Sequence, residues 1–131
     1  MRTLNPEAKA IMYKIVNKMV NGYLKIDTNP DFMPFIIEEI FENDEYKIYS
    51  IGHYSMMNGE RMSDPQQNIL LFKTTGEFLP ISLKQDYVGV NEYSVIFEDQ
   101  EIVGEKEIQS YHAYFCDIWL ESIERQQNLE I

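Results

Sequence analysis

An Asn-Gly pair, Asn58-Gly59, sits between two runs of strand-forming residues and constrains this chain more than any other feature. A two-residue type I′ hairpin needs positive φ at both central positions, and Asn-Gly meets that need at little steric cost. The pair therefore predicts two antiparallel strands that meet at residues 58 and 59. The surrounding stretch, residues 52–65, also holds His53, Glu60, three of the seven methionines (Met56, Met57 and Met62) and an Asp64-Pro65 pair. Asp before Pro reads as a further turn. Such crowding marks a shaped feature rather than a plain strand.

Other turn formers divide the middle of the chain in the same way. Residues 23–26 form a short strand, and Asp27-Thr28-Asn29-Pro30-Asp31 is a loop. Residues 32–41 are apolar and β-branched enough for a strand with Pro34 near its start or on an edge. Asn43-Asp44-Glu45 turns into a strand over 46–54, and residues 68–73 make another before Thr74-Thr75-Gly76-Glu77. Leu79, Ile81 and Leu83 alternate with Pro80, Ser82 and Lys84, a strand with one wet face. Residues 93–97 close the series.

Helical periods flank these strands. Asn5-Pro6-Glu7 supplies an N-cap, a proline at the first helical position and an acid in the first turn. Ala8, Ile11, Met12, Ile15, Val16, Met19 and Val20 follow at helical spacing, with Asn21-Gly22 as the stop. From residue 105 to about residue 128, Ile108, Tyr111, Phe115, Ile118, Trp119, Ser122 and Ile123 trace a second stripe, with Asp117 and Glu121 off it. The expectation is one α+β domain over residues 1–131. An antiparallel β-meander of about five or six strands is packed by an N-terminal and a C-terminal helix.

Composition narrows the setting. The chain is 44% hydrophobic and carries nine tyrosines, seven phenylalanines and one tryptophan, enough for a packed core. Its single cysteine, Cys116, excludes an internal disulfide and a Cys-rich zinc motif. No run reads as a signal peptide or approaches the roughly 20 apolar residues of a membrane span. A soluble, cytoplasmic protein is expected. The net charge is −11, unevenly placed. Residues 1–22 hold four basic side chains and one acid, whereas residues 23–131 hold seven basic side chains and 21 acids. Such a body repels phosphate backbones, so no direct nucleic-acid contact is expected; solubility explains the charge first, and attraction to a basic partner is the sharper reading.

Candidate chemistry is sparse. His53 shares a strand face with Tyr49 and Ile51, and Asp64 and Asp86 are the nearest turn-placed acids. One histidine and two aspartates could bind a metal or hold a general base, but they lack a ligand spacing such as His-Glu-x-x-His. His112 and Cys116 meet at i, i+4, an arrangement that allows a nucleophile pair but that a buried small cysteine beside a boundary histidine explains better. Ser55 and Ser63 lack a Gly-x-Ser-x-Gly elbow, and no glycine-rich phosphate loop occurs. The residues assign no catalytic group, metal or cofactor. Met56, Met57 and Met62, with Glu60, would form an adaptable contact patch if exposed.

The pattern of His53-Tyr54, Asn58-Gly59-Glu60, Met62, Asp64-Pro65, Pro80-Ile81-Ser82, Gln85-Asp86 and Gly89-Val90 resembles a family of short bacterial proteins. These are carried on plasmids, phages and integrative elements, and their domain has no assigned function. The resemblance covers the middle third of the chain, with a compatible C-terminal helix. It implies a mobile-element setting and supplies no catalytic residues. The combined expectation is a non-enzymatic, acidic accessory protein that binds another protein, as a counter-defence or regulatory factor. The alternative is a small-molecule-binding domain or a metal-dependent enzyme centred on His53, Asp64 and Asp86.

Overall fold

The computed structural model describes residues 1–98 and 101–129. Helix α1 (Pro6–Val16) precedes strands β1 (Tyr23–Ile26), β2 (Phe35–Glu42), β3 (Tyr46–Met57), β4 (Glu60–Phe72), β5 (Phe78–Pro80) and β6 (Ser82–Gln85). A 3-10 turn (Asp86–Val88) leads to β7 (Val90–Tyr93), β8 (Val95–Glu98), β9 (Glu101–Gly104) and helix α2 (Lys106–Gln127). The larger sheet runs in the order β1-β2-β3-β4-β6-β7, with β5 also on β4, and β8 and β9 pair separately. Every pairing in both sheets is antiparallel. The architecture is the expected α+β meander between two helices. The expected strand at 79–83 divides into β5 and β6.

Local chemistry sets the boundaries. The Asn5 side chain accepts the Ala8 N–H at 2.8 Å, and Pro6 opens α1. The helix ends at Val16, so Met19 and Val20 fall outside it, contrary to the helical spacing. Asn21 (φ 53°) and Gly22 (φ 75°) form a tight turn that brings Val20 and Tyr23 into a reciprocal backbone pair. Asn21-Gly22 is therefore a hairpin turn and not a helix stop. Asn58 (φ 52°) and Gly59 (φ 82°) take the conformation expected of them and join β3 to β4. Asn43 Oδ1 accepts the Glu45 and Tyr46 N–H groups, closing the β2–β3 turn.

Asp64-Pro65 departs from expectation. It lies inside β4, not at a turn, and its peptide bond is cis. Gly52 pairs with Gln66 and Tyr54 with Ser63, so Asp64 and Pro65 together oppose the single residue His53. This is a β-bulge, a place where a proline without an N–H is tolerated in a central strand.

Both helices cover one face of the larger sheet. Ala8, Ile11, Met12 and Ile15 of α1 and Cys116, Trp119, Leu120 and Ile123 of α2 pack on Phe35, Ile37, Tyr49, Ile51, Ile69 and Phe78. Residues adjacent to these in sequence face the other way, where Ile48, Leu70, Leu79, Ile81 and Val95 form a smaller core. There the Phe97 ring stacks on Tyr46 at 5.3 Å.

The buried side of α2 is also polar. Gln109 accepts the Arg2 N–H at 2.6 Å and donates to the carbonyls of Arg2 (2.7 Å) and Pro80 (3.1 Å). Asp117 accepts the Asn5 N–H at 3.0 Å and pairs with Arg2 at 3.3 Å. Burial raises its carboxyl above the ordinary value, opposed by the Asn5 bond and the Arg2 charge. Gln127 accepts the Asn29 N–H and donates to the Met33 carbonyl, and Thr28 Oγ1 donates to the Gln127 carbonyl. The last turn of α2 thus holds the loop that enters β2.

Beside the bulge, Gly52 has a ring over it. A Cβ there would lie 2.6 Å from Tyr54 Cζ, and the Arg61 guanidinium packs on that ring, 3.6 Å from its centre. Replacing Gly52 with Ala is expected to destabilise the domain by about 1–3 kcal/mol through overpacking. Because Gly52 has no positive φ, removing the ring in a Gly52→Ala/Tyr54→Ala double variant should relieve part of that loss. Urea denaturation of the two single variants and the double variant checks it; strictly additive losses would show that the ring is not the cause.

Candidate functional site

The bulge places His53 at the floor of a groove. Its other wall is α2, which contributes Tyr111, Tyr114, Phe115, Ile118, Trp119, Ser122 and Gln126, and Pro65 closes one end. The volume is about 430 Å³, within the range of ligand sites, and the lining is mainly aromatic and aliphatic. Helical spacing explains the wall. Trp119 points down to the sheet and is 7% exposed, whereas Tyr111, Tyr114 and Ile118, at i, i+3 and i+7, stand about half exposed along the rim. Tyr114 also receives the Arg2 guanidinium at 5.6 Å from its ring centre.

Two polar atoms at the floor lack partners. His53 is 7% exposed, and its Nε2 and the Nε1 of Trp119 have no hydrogen bond. The two rings meet edge to face at 5.5 Å, and Phe35 lies 6.0 Å from His53. A buried polar group left unsatisfied costs about 1–3 kcal/mol, so both nitrogens would gain from an added hydrogen-bond partner. Burial pushes the His53 pKa below its ordinary value of 6.5, and the nearby Asp64 carboxylate opposes the shift only in part.

The three polar residues singled out by the sequence do different things. His53 faces the groove. Asp64 lies beside it in the bulge and acts on it through charge. Asp86 is used elsewhere: its Oδ2 accepts the Ser63 N–H at 2.7 Å, and Lys84 stands at 3.7 Å. It ties the 3-10 turn to β4. Among the described residues no group of three His, Cys, Asp or Glu side chains could hold a metal ion.

At the hairpin tip Met56 is 68% exposed, Met57 and Glu60 are exposed and Met62 is half-buried. Ser55 and Tyr87 share a hydrogen bond at 2.7 Å that braces the hairpin against the 3-10 turn.

The second histidine also lacks the geometry of a nucleophile pair. Cys116 is fully buried, and burial raises its thiol pKa well above the ordinary value, with the Asp117 charge adding to the shift. His112 turns away from it. Its Nδ1 meets Ser94 Oγ at 2.7 Å and its Nε2 meets Glu92 at 3.1 Å. This is the connectivity of a nucleophile, base and acid, but Ser94 and His112 are both buried and neither lines the groove. The chain of bonds fastens the β7–β8 corner to α2.

The sequence marked His53 but missed the wall facing it. Tyr114 falls outside the predicted stripe, and Gln126 carries no signal at all. The available clue was the unusual density of aromatic residues on α2, with Tyr111, Tyr114, Phe115 and Trp119 within nine positions.

A pH dependence follows from His53. The unfolded chain binds a proton at about the ordinary pKa, while the folded site resists it. The stability due to neutral His53 is therefore complete above that value. It is lost as pH falls through the lower folded pKa. Between about pH 7.5 and pH 5, the wild-type chain should lose more stability than a His53→Leu variant. Urea midpoints across that range check it, and parallel curves would contradict the assignment.

Over residues 7–129 the sequence matches a domain of unknown function, DUF6908. No curated protein and no solved structure matches the chain. The matched span begins at the second residue of α1, takes in every strand and the groove, and passes the end of α2. The chain belongs to the DUF6908 family.

Proposed function

We propose that this domain is a non-catalytic binding module that engages a protein partner through the groove between α2 and the β3–β4 bulge. One observation carries the reading. The half-exposed row of Tyr111, Tyr114 and Ile118 is continuous with a floor whose His53 and Trp119 nitrogens have no partner within the chain. Contiguous exposed aromatics beside unsatisfied polar groups favour recognition. The absence of a bonded, accessible nucleophile–base pair among the described residues favours binding over catalysis.

The exposed tip with Met56, Met57 and Glu60 is a second contact surface, since it continues the same two strands beyond the groove. The net charge of −11 supports a basic protein partner and argues against direct nucleic-acid contact. Among the described residues no helix is long and apolar enough to cross a membrane. An accessory role on a bacterial mobile element rests on the sequence resemblance and matches a small module that acts by binding.

A second reading, a small-molecule-binding domain, is favoured by the groove volume of about 430 Å³ together with the same two nitrogens. A metal-dependent enzyme at His53, Asp64 and Asp86 has less support, because Asp86 is engaged with Ser63.

Affinity capture from the native host, with the wild-type chain and a Tyr111→Ser/Tyr114→Ser variant in parallel, tests the proposal. Both tyrosines are exposed, so the variant should fold. The expected outcome is a basic protein retained by the wild type and lost by the variant. Its association should slow as salt rises, since exposed charges are screened within about 10 Å at 0.1 M. Retention of the same proteins by both chains would overturn the groove assignment. A small molecule that raises the melting temperature, with no protein captured, would install the second reading.

A further inference from the structure

We infer that the groove takes a single aromatic or large aliphatic side chain from a basic peptide segment, with a main-chain carbonyl of that segment accepting the Trp119 N–H. The inference rests on the binding reading above and specifies its partner.

The two ring nitrogens at the floor have no partner within the chain. An indole N–H is only a donor, so whatever satisfies Trp119 brings an acceptor. A neutral imidazole offers one donor and one acceptor, and burial keeps His53 neutral. A peptide unit offers the complement of both: one carbonyl and one N–H. A folded protein surface rarely presents a free peptide unit beside a protruding apolar side chain, whereas an extended segment does so at every second residue.

Size agrees. A groove of about 430 Å³ lies near the lower end of the range for small-ligand sites and suits a side chain with its adjoining peptide units. The nitrogens lie beneath the surface, so an incoming carbonyl must displace a rim side chain. Half-exposed Tyr111 and Tyr114 can move without disturbing the core.

Charge sets the flanks of the segment. Asp64 stands at the His53 end. Glu107 precedes Tyr111 by one turn of α2, whereas Arg125 donates to Ser122 of the wall at 3.4 Å, so the acidic flank is the one before Tyr111. With a chain charge of −11, lysine or arginine beside the anchor residue is the complementary choice. Arg2 over Tyr114 shows that the rim already accommodates a guanidinium on an aromatic face.

The test is fluorescence anisotropy with a fluorescein-labelled octapeptide carrying one phenylalanine between lysines. Saturable binding is expected. It should weaken by at least about tenfold when the phenylalanine is replaced by alanine, or when the chain carries Ile118→Arg. Replacing the peptide lysines with glutamates should abolish it. Trp119→Phe should weaken it with little change in the groove's shape. Ile118 is half exposed, so Ile118→Arg stays informative even if Trp119→Phe fails to fold. No saturable binding, or binding unchanged by Ile118→Arg, would overturn the inference. So would N-acetyl-phenylalanine amide binding as tightly as the octapeptide, which would assign the groove to a small molecule. If a captured protein depends on Tyr111 and Tyr114 while no octapeptide binds, the peptide class is wrong and the binding reading stands. If neither binds, both fall.

Discussion

The structure depends on α2 lying across the sheet while the buried polar side chains of Gln109, His112 and Gln127 each find their partners. A purely apolar helix could slide or rotate on a sheet at small cost, because the hydrophobic effect has no direction. Hydrogen bonds from a buried amide do have direction, and a wrong position leaves them unmade. Gln109 bonds to Arg2 and Pro80, His112 to Ser94 and Glu92, and Gln127 to the loop before β2. Those contacts fix the helix along its length. They also fix which residues remain outside, and the outer row of Tyr111, Tyr114 and Ile118 is the wall of the groove.

The sheet supplies the opposing wall through an irregularity. In a regular β3–β4 ladder His53 would face one partner residue. The bulge gives it two, Asp64 and Pro65, and places Pro65 at the end of the groove. Bulges recur where a strand must re-aim a side chain. Asp86 supports the same place by taking the Ser63 N–H. Asp64 and Asp86 thus both serve the setting of His53, one through charge and one through the backbone.

Much of the fold was legible because it is written in local chemistry. Asn58-Gly59, the Asn5 cap and the Asn43 turn each depend on a few neighbouring residues, and each forms as expected. Asp64-Pro65 misled because the same dipeptide suits a turn or a bulge, and the choice depends on its register against β3 across the Asn58-Gly59 hairpin. Met19 and Val20 misled because their helical spacing persists beyond Val16, where the chain has already turned. The candidate site was legible only in half. His53 could be placed beside Tyr49 and Ile51 by strand period. Its facing wall could not, since periodicity draws Tyr111, Ile118 and Trp119 as one stripe. The structure divides that stripe, with Trp119 turned in and the other two turned out. Asp117 was placed off the apolar stripe and is buried all the same, held by Arg2 and Asn5 from the start of the chain.

Hydrogen–deuterium exchange of the domain, free and bound to its captured protein, tests the central claim most directly. The account predicts added protection along α2 from Tyr111 to Gln126 and in β3 and β4 around His53 and Pro65. Protection confined to the hairpin tip at Met56 and Met57, or to the exposed Phe41 and Phe97 on the other face of the sheet, would contradict it.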